Sequence, residues 1–244
     1  YTEARGILFQ FNQYGPLREG CLGNNLKDRS SGALIRYNRI EDGNRQLDLV
    51  DSDHEKQLTD PAYRKTFVYG NILIEGDGNS QIVHYGGDSR DLGRFRKGML
   101  YFYNNTVVST RTDQTTLFRL SSNDESADIR NNIFYVTQPG DSLGVSNRAG
   151  NIRLIGNWIN TGWKPGHADL IGRVSNEMNV TGTNPIFRDP ESGDFTLSSA
   201  SPCLNAGSAL SHDTSDNPVI HEFPDGRQRH LDQKIDIGAH EFVE

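Results

Sequence analysis

A short phrase containing asparagine recurs along this chain and constrains its fold more than any other feature. Each copy places an aromatic or aliphatic residue, one or two polar residues and an asparagine in front of an alternating apolar run. The five asparagines lie 33, 34, 27 and 25 residues apart, at Asn38, Asn71, Asn105, Asn132 and Asn157. A unit that returns at such intervals is typical of a protein built from stacked structural repeats.

Each copy is followed by a polar, Gly-rich turn and a second short stretch with period-2 apolar patterning. We expect these second strands at residues 46–50, 81–85, 116–120 and 168–171. Repeats of this length, made of short strands and turns, favour a coil of β-strands stacked on its neighbours. Leucine-rich repeats need leucine at fixed short intervals, and WD propeller blades are longer, so neither fits. The sequence predicts an all-β fold, a right-handed parallel β-helix with about five recognisable coils.

Stacking explains both the asparagines and the composition. If every coil places asparagine at the same turn, the side-chain amides form a hydrogen-bonded ladder along the solenoid axis. A solenoid also has a narrow core shared by all coils. It therefore needs few apolar residues per unit length, which agrees with 34% hydrophobic residues and 25 glycines in 244 positions.

The repeat divides the chain into two parts of one domain. Residues 1–182 are expected to form the β-helix coils, and residues 183–244 a C-terminal capping segment that covers an open edge of the solenoid. Since the chain starts without methionine, we expect the natural protein to begin earlier, or a protein partner to cover the N-terminal edge. The two cysteines, Cys21 and Cys203, are expected to be isolated buried thiols.

The C-terminal part carries three further motifs, NPIF at 184–187, SPCLNAG at 201–207 and DIGAHEF at 236–242. With the repeats, they resemble the right-handed parallel β-helix proteins of the pectate-lyase-like superfamily, over nearly the whole chain. The succession of motifs is similar to the ending common in bacterial extracellular members of that superfamily. The resemblance implies a secreted, periplasmic or cell-surface protein.

A second resemblance concerns residues 23–30, GNNLKDRS, followed by IRYN at 35–38. This segment is similar to the coil that carries the catalytic lysine of chondroitinase-B-like and alginate-lyase-like polysaccharide lyases, and Lys27 is the matching position. Those families place a catalytic arginine on the strand one coil later, where this chain reads LDLVD at 47–51. Their paired acidic calcium ligands are not recognisable either, since Glu19 stands alone. We therefore predict no cofactor, with calcium implied only by the resemblance.

Alternation of inward and outward side chains predicts a row of polar residues on one face. Asp48, His84 and Arg119 each lie between two apolar residues of a predicted strand and should face outward. Neighbouring coils are ~4.8 Å apart, so the three side chains should form a row, with Lys27 one coil before Asp48.

Such a row could act on a uronate polysaccharide by β-elimination. In that reaction a cation neutralises the sugar carboxylate and a base removes the adjacent proton. Lys27, Arg29 or Arg119 could neutralise, Lys27 or His84 could be the base, and Asp48 could orient the base. The predicted catalytic residues are thus Lys27, His84 and Arg119, and the predicted substrate-binding residues are Arg29, Asp48, Asp51 and Tyr85, with no metal ligand.

Charge and hydropathy narrow the function classes without choosing one. The chain has 25 Lys plus Arg against 32 Asp plus Glu, a net charge of -7. This charge disfavours non-specific electrostatic binding to nucleic acid or to an anionic membrane. No run approaches the ~18 apolar residues of a membrane span. The leading hypothesis is a protein that binds, and could cleave, an acidic polysaccharide. The alternatives are a non-catalytic adhesin-like module, or a glycoside hydrolase or epimerase, for which Asp48 and Asp51 are the nearest carboxylate pair.

Overall fold

The chain folds into a parallel β-helix in which successive coils add strands to three stacked sheets. The structure, a computed structural model, describes residues 2–78, 80–137, 142–231 and 234–243. Coil by coil, the strands are β1 (Leu8–Gln10), β2 (Gln13–Tyr14), β3 (Leu26–Asp28); β4 (Leu34–Arg36), β5 (Arg39–Glu41), β6 (Leu47–Leu49); β7 (Lys65–Tyr69), β8 (Ile72–Glu75), β9 (Val83–Tyr85); β10 (Met99–Tyr103), β11 (Thr106–Ser109), β12 (Thr115–Leu120); β13 (Ser126–Arg130), β14 (Ile133–Val136), β15 (Leu143–Ser146); β16 (Asn151–Ile155), β17 (Trp158–Asn160); and β18 (Arg173–Glu177), β19 (Val180–Gly182).

All strand pairings between coils are parallel within the described residues. The first sheet has the order β1-β4-β7-β10-β13-β16-β18, the second β2-β5-β8-β11-β14-β17-β19, and the third β3-β6-β9-β12-β15. The predicted strands at 46–50, 81–85 and 116–120 correspond to β6, β9 and β12. Residues 168–171 form no strand, and β15 is instead the fifth strand of the third sheet. The all-β parallel β-helix predicted from the repeat is therefore confirmed.

The few helical turns lie outside the sheets. Between β6 and β7 the chain forms α1 (Glu55–Leu58) and a 3₁₀ turn (Pro61–Arg64), and two more 3₁₀ turns, Pro190–Ser192 and His212–Thr214, lie in the C-terminal segment. Strands β20 (Phe187–Asp189) and β21 (Asp194–Leu197) pair antiparallel in that segment.

The core is a narrow column of inward side chains from all three sheets. Phe102 of the first sheet, Phe118 of the third and Phe134 of the second meet there, with ring centroids 5.2–6.3 Å apart. Each is at most 1% exposed, and burial of an aromatic side chain of this size contributes roughly 1.5–3 kcal/mol. Alternation along each strand thus sends one set of residues into the column and the other set outward.

The asparagine ladder is present and is longer than the sequence indicated. Seven asparagines hydrogen-bond in series, each Nδ2 donating to the Oδ1 of the next at 2.8–3.0 Å: Asn12, Asn38, Asn71, Asn105, Asn132, Asn157 and Asn179. The predicted five form its middle, and Asn12 and Asn179 extend it at the two ends. Neither asparagine is followed by the alternating apolar run that defines the phrase, since QYGP follows Asn12 and VTGT follows Asn179.

The C-terminal segment lies along the side of the solenoid, and its covering of an open end stays a prediction. It packs on the outward face of the second sheet, where apolar side chains need cover: Ile72, Ile74, Val108, Ile133 and Trp158, which meet Phe187, Phe195, Leu197, Cys203, Ile237 and Ala239. Backbone groups fix the contact, since Gly238 N donates to Asn131 O at 2.8 Å and Ala239 N to Thr106 Oγ1 at 3.0 Å.

The two cysteines differ in burial. Cys203 is buried in this lateral contact, as expected, whereas Cys21 is exposed in the connection between β2 and β3. The expectation of two buried thiols is therefore wrong for Cys21, which lies in a loop outside the alternating strands.

Candidate functional site

The predicted polar row exists on the outward face of the third sheet. Lys27 of β3 pairs in register with Asp48 of β6, Asp48 with His84 of β9, and His84 with Arg119 of β12. The apolar residues on either side of Asp48, His84 and Arg119 all belong to the core column. Strand alternation and coil stacking therefore bring four residues together that are separated by up to 92 positions in the sequence.

Asp48 and His84 form a hydrogen-bonded pair at the centre of the row. Oδ1 of Asp48 lies 2.8 Å from Nδ1 of His84, and each residue is only 2% exposed. We expected both to face solvent, and this is corrected. They do point out of the coil, but neighbouring side chains cover them: Asn24 donates to Asp48 Oδ2 at 2.6 Å, and Ser121 Oγ lies 2.9 Å from His84 Nε2.

The electrostatics of the pair favour a carboxylate beside a neutral imidazole. Burial acts to raise the pKa of Asp48, but the hydrogen bonds from His84 and Lys27 and the charge of Lys27 outweigh it and lower that pKa to about 2. Burial lowers the pKa of His84; Asp48 opposes this, while the positive charges of Arg119 and Arg45 add to it. A neutral histidine next to a carboxylate carries its proton on the nitrogen that faces the carboxylate. Nδ1 therefore donates to Asp48, and Nε2 is left as an acceptor.

Lys27 and Arg29 are held by Asp88, a residue that sequence reasoning missed. Lys27 Nζ pairs with Asp88 and lies 3.1 Å from Asp48 Oδ2, and Arg29 Nη2 lies 2.8 Å from Asp88 Oδ1. Burial acts to lower the pKa of Lys27, but Asp88 and Asp48 outweigh it and raise that pKa. Lys27 is therefore protonated at neutral pH, which favours a neutralising role for it over a basic one.

Two of the predicted substrate-binding residues lie inside the protein. Tyr85 is 0% exposed and belongs to the core column, since it follows the outward His84 by one position. Asp51 is also 0% exposed, and its carboxylate accepts the backbone N–H groups of Asp88 at 2.6 Å and of Ser89 at 3.2 Å. Asp51 therefore holds the loop after β9, in which Asp88 lies, against the third sheet. Neither side chain is placed to contact a polysaccharide, so these two assignments are corrected.

Among the described residues, two guanidinium groups near the pair have no carboxylate within ion-pair distance. The Arg119 side chain is partly exposed and makes no hydrogen bond or ion pair with any residue that the structure describes. Arg45, which sequence reasoning missed, lies within electrostatic reach of Asp48, Asp88 and Arg119. Its Nη2 contacts Gln81 Oε1 at 3.4 Å, and its Nε is buried without a hydrogen-bond partner.

Ser121 is the third residue that sequence reasoning missed, after Asp88 and Arg45. It directly follows β12, is partly exposed, and places its hydroxyl between His84 and the backbone of Gly87. In the sequence it reads as the first of two serines in a turn. Its spacing of two from Arg119, which implies the same outward face, was the available signal.

Comparison with family models and with curated proteins adds no information about this site. No family model matches the chain, and a search of curated proteins found no match.

Within the described ranges, no group of three or more His, Cys, Asp or Glu residues is arranged to hold a metal ion. No helix in the described part of the chain is long and apolar enough to span a membrane.

Proposed function

We propose that the outward row of the third sheet binds an acidic polysaccharide and cleaves it by β-elimination. The observation that carries this is the buried His84–Asp48 pair beside two guanidinium groups, Arg119 and Arg45, that form no ion pair with a carboxylate of the described part of the chain. A relation to the pectate-lyase-like superfamily is part of the proposal, supported by the stacked parallel strands and the asparagine ladder. A location outside the cytoplasm is also part of the proposal, and it is supported by the resemblance of the three C-terminal motifs to the ending of bacterial extracellular members of that superfamily.

Binding rests on the unequal pairing of charges along the row. Lys27 and Arg29 are neutralised by Asp88 and Asp48, whereas Arg119 retains its full charge at a partly exposed position. A guanidinium binds a carboxylate through two parallel hydrogen bonds, which suits the carboxylate of a uronate. Three coil spacings of ~4.8 Å place Lys27 and Arg119 roughly 14 Å apart along the axis, so that a glycan chain could follow the row.

Elimination needs a base, a neutralised carboxylate and a proton for the leaving oxygen. Nε2 of His84 would take the proton from the carbon next to the carboxylate that Arg119 holds. A double bond then forms as the glycosidic C–O bond breaks, and protonated Lys27 would supply the proton to the departing oxygen. Because Nε2 contacts Ser121 Oγ at 2.9 Å, the serine side chain would have to rotate away first.

The test is to incubate the folded protein with alginate, chondroitin, pectate and heparan sulfate while following absorbance of the unsaturated product near 235 nm. We expect product from one of them, lost in His84→Ala and strongly reduced in Arg119→Ala. Arg173→Ala is the matched control, since Arg173 is exposed on β18.

The same polysaccharides also distinguish the non-catalytic alternative. Retarded migration in gels containing one polysaccharide, without product and dependent on Arg119, would identify a binding module. Neither retardation nor product with any of the four would refute the proposed function. Asp48 and Asp51 are a poor pair for a glycoside hydrolase, because both are buried and already bonded.

A further inference from the structure

We propose that Ser121, His84 and Asp48 form a nucleophilic triad that hydrolyses small carboxylic esters. This activity goes beyond the polysaccharide binding and elimination proposed above, and it depends on a residue that those reactions do not use. It accounts for the fact that the free nitrogen of His84 faces the hydroxyl group of Ser121 and not the solvent.

The three side chains are connected in the order that nucleophilic serine sites require. Asp48 Oδ1 lies 2.8 Å from His84 Nδ1, and His84 Nε2 lies 2.9 Å from Ser121 Oγ. They come from β6, from β9 and from the position just after β12, three successive strands of the third sheet. Such triads recur on unrelated folds and are recognised by this geometry and these roles, not by sequence order.

The hydrogen bonds also place the protons as the chemistry needs them. The Asp48 carboxylate accepts the Nδ1 proton, which leaves the Nε2 lone pair directed at Ser121 Oγ. The serine hydroxyl has a second acceptor in reach, Gly87 O at 2.9 Å, while Gly87 N donates to Oγ at 2.9 Å. The backbone therefore holds Oγ in place beside the base, and a small rotation about the C–O bond turns the O–H group from Gly87 O to His84 Nε2.

A glycine makes this close approach of Ser121 to the neighbouring coil feasible. Gly86 has φ +133°, and a Cβ there would lie 2.7 Å from both Cβ and Oγ of Ser121. Any other residue at Gly86 would therefore push Ser121 away from His84. A Cβ on Gly87 would lie 2.0 Å from the Phe95 ring, so that a side chain there would displace Phe95.

Exposure assigns the roles within the triad. His84 and Asp48 are each 2% exposed, whereas Ser121 is partly exposed. A substrate arriving from solvent therefore meets the hydroxyl first, and the base stays desolvated behind it. A buried, neutral base next to a surface hydroxyl is the arrangement that activates a serine nucleophile.

Arg119 is placed to stabilise the charge that develops on the ester carbonyl oxygen. Arg119 and Ser121 flank the inward Leu120 and so share the outward face, and the Arg119 guanidinium has no partner among the described residues. Donors aimed at a developing oxyanion contribute about 10²–10³-fold in rate. The groups around Ser121 are polar, which favours a short acyl group such as acetyl over a long apolar one.

The reaction balances with water as the only other reactant. Ser121 Oγ bonds to the acyl carbon as its proton passes to His84 Nε2, and the ester C–O bond breaks as that proton passes to the leaving alcohol oxygen. Water then adds to the acyl-enzyme with His84 again accepting a proton, and the serine is regenerated with release of the carboxylic acid.

The first test uses the unaltered protein and a fluorophosphonate probe, which labels activated serines. We expect labelling at Ser121, located by peptide mass spectrometry, and its loss on prior thermal unfolding. Failure of the folded protein to label at Ser121 would overturn the proposal without any reliance on a variant.

The second test measures hydrolysis of p-nitrophenyl acetate by Ser121→Ala, His84→Ala and Asp48→Asn, each first shown to be folded by circular dichroism. We expect Ser121→Ala and His84→Ala to lower kcat/KM at least about 10³-fold. The matched control is Ser175→Ala, a partly exposed serine on β18 in the last coil, which should hydrolyse the ester at the wild-type rate. A Ser121→Ala protein that retains the wild-type rate would overturn the proposal.

The outcome is separable from that of the elimination proposal. Ser121→Ala removes the nucleophile but frees His84 Nε2, so that any product absorbing near 235 nm should persist while ester hydrolysis is lost. Ester hydrolysis without elimination would support the triad and refute the lyase, and the reverse result would do the opposite.

Discussion

Replacing the central asparagine of the ladder should cost far more stability than its single side chain suggests. Asn105 is 0% exposed and its amide has five hydrogen-bond partners. The two hydrogens on Nδ2 are shared among Val68 O, Tyr103 O and Asn132 Oδ1, and Oδ1 accepts from Asn71 N and Asn71 Nδ2, so that the amide makes about four hydrogen bonds at a time. Asn105→Ala leaves all of these groups in a buried, dry environment. At about 1 kcal/mol for each hydrogen bond, and with some relaxation of the coils, we expect a loss of about 4 kcal/mol.

The first asparagine of the ladder provides the matched control. Asn12 is partly exposed, and its Nδ2 makes two hydrogen bonds, to Gln10 O and Asn38 Oδ1 at 3.0 Å each. Water can replace these bonds in Asn12→Ala, so we expect a loss of about 1 kcal/mol. Both substitutions remove the same atoms, which isolates the effect of burial within the ladder.

Urea unfolding followed by tryptophan fluorescence and by far-ultraviolet circular dichroism measures both losses. Trp158 is 0% exposed and lies in the lateral contact with the C-terminal segment, so its fluorescence reports on that contact as well as on the coils. If Asn105→Ala costs no more than Asn12→Ala, burial of the amide within the ladder does not stabilise the solenoid.

Three further predictions concern titration and reactivity. Burial raises the pKa of Glu75 to about 7 from 4.5 despite its polar neighbours, so the free energy of unfolding of the wild type should fall by about 3 kcal/mol as pH rises from about 4.5 through 7. Glu75→Gln should lack this part of the decline when urea unfolding is measured at pH 5 and pH 8. An equal decline in the wild type and the variant would contradict the prediction. In ¹⁵N spectra the His84 ring should be neutral at pH 7 with its proton on Nδ1, a preference that Asp48→Asn should abolish; a doubly protonated ring would contradict the pairing. Cys21 should react at once with a thiol reagent. Cys203 should react only after unfolding, because burial raises the pKa of its thiol to about 12. Equal reaction rates of the two thiols in the folded protein would contradict the assigned burial.

The site shows how the stacking of coils can place several charged side chains next to one another. Lys27, Asp48 and His84 lie in consecutive coils because each occupies the same outward position of its strand. The charges are tolerated because each buried one is bonded to a neighbour in the next coil. A change in loop length between coils would leave this register intact, since hydrogen bonds between strands fix it.

The sequence by itself determined the solenoid, the middle of the ladder and the row of Lys27, Asp48, His84 and Arg119. All three follow from periodicity, because strands of period 2 stacked coil on coil place equivalent positions next to one another. Local patterning is enough for such features, since each repeat carries the same information.

Only the tertiary structure decided which outward residues are buried and what covers them. Asp88 and Ser121 reach the row from loops, and loop conformations depend on particular contacts such as the Asp51 carboxylate and the approach at Gly86, not on a period. The C-terminal segment likewise lies along the second sheet because apolar side chains there require cover. Periodicity predicts which way a side chain points, whereas burial and partnership depend on non-repeating segments that pack against the repeats.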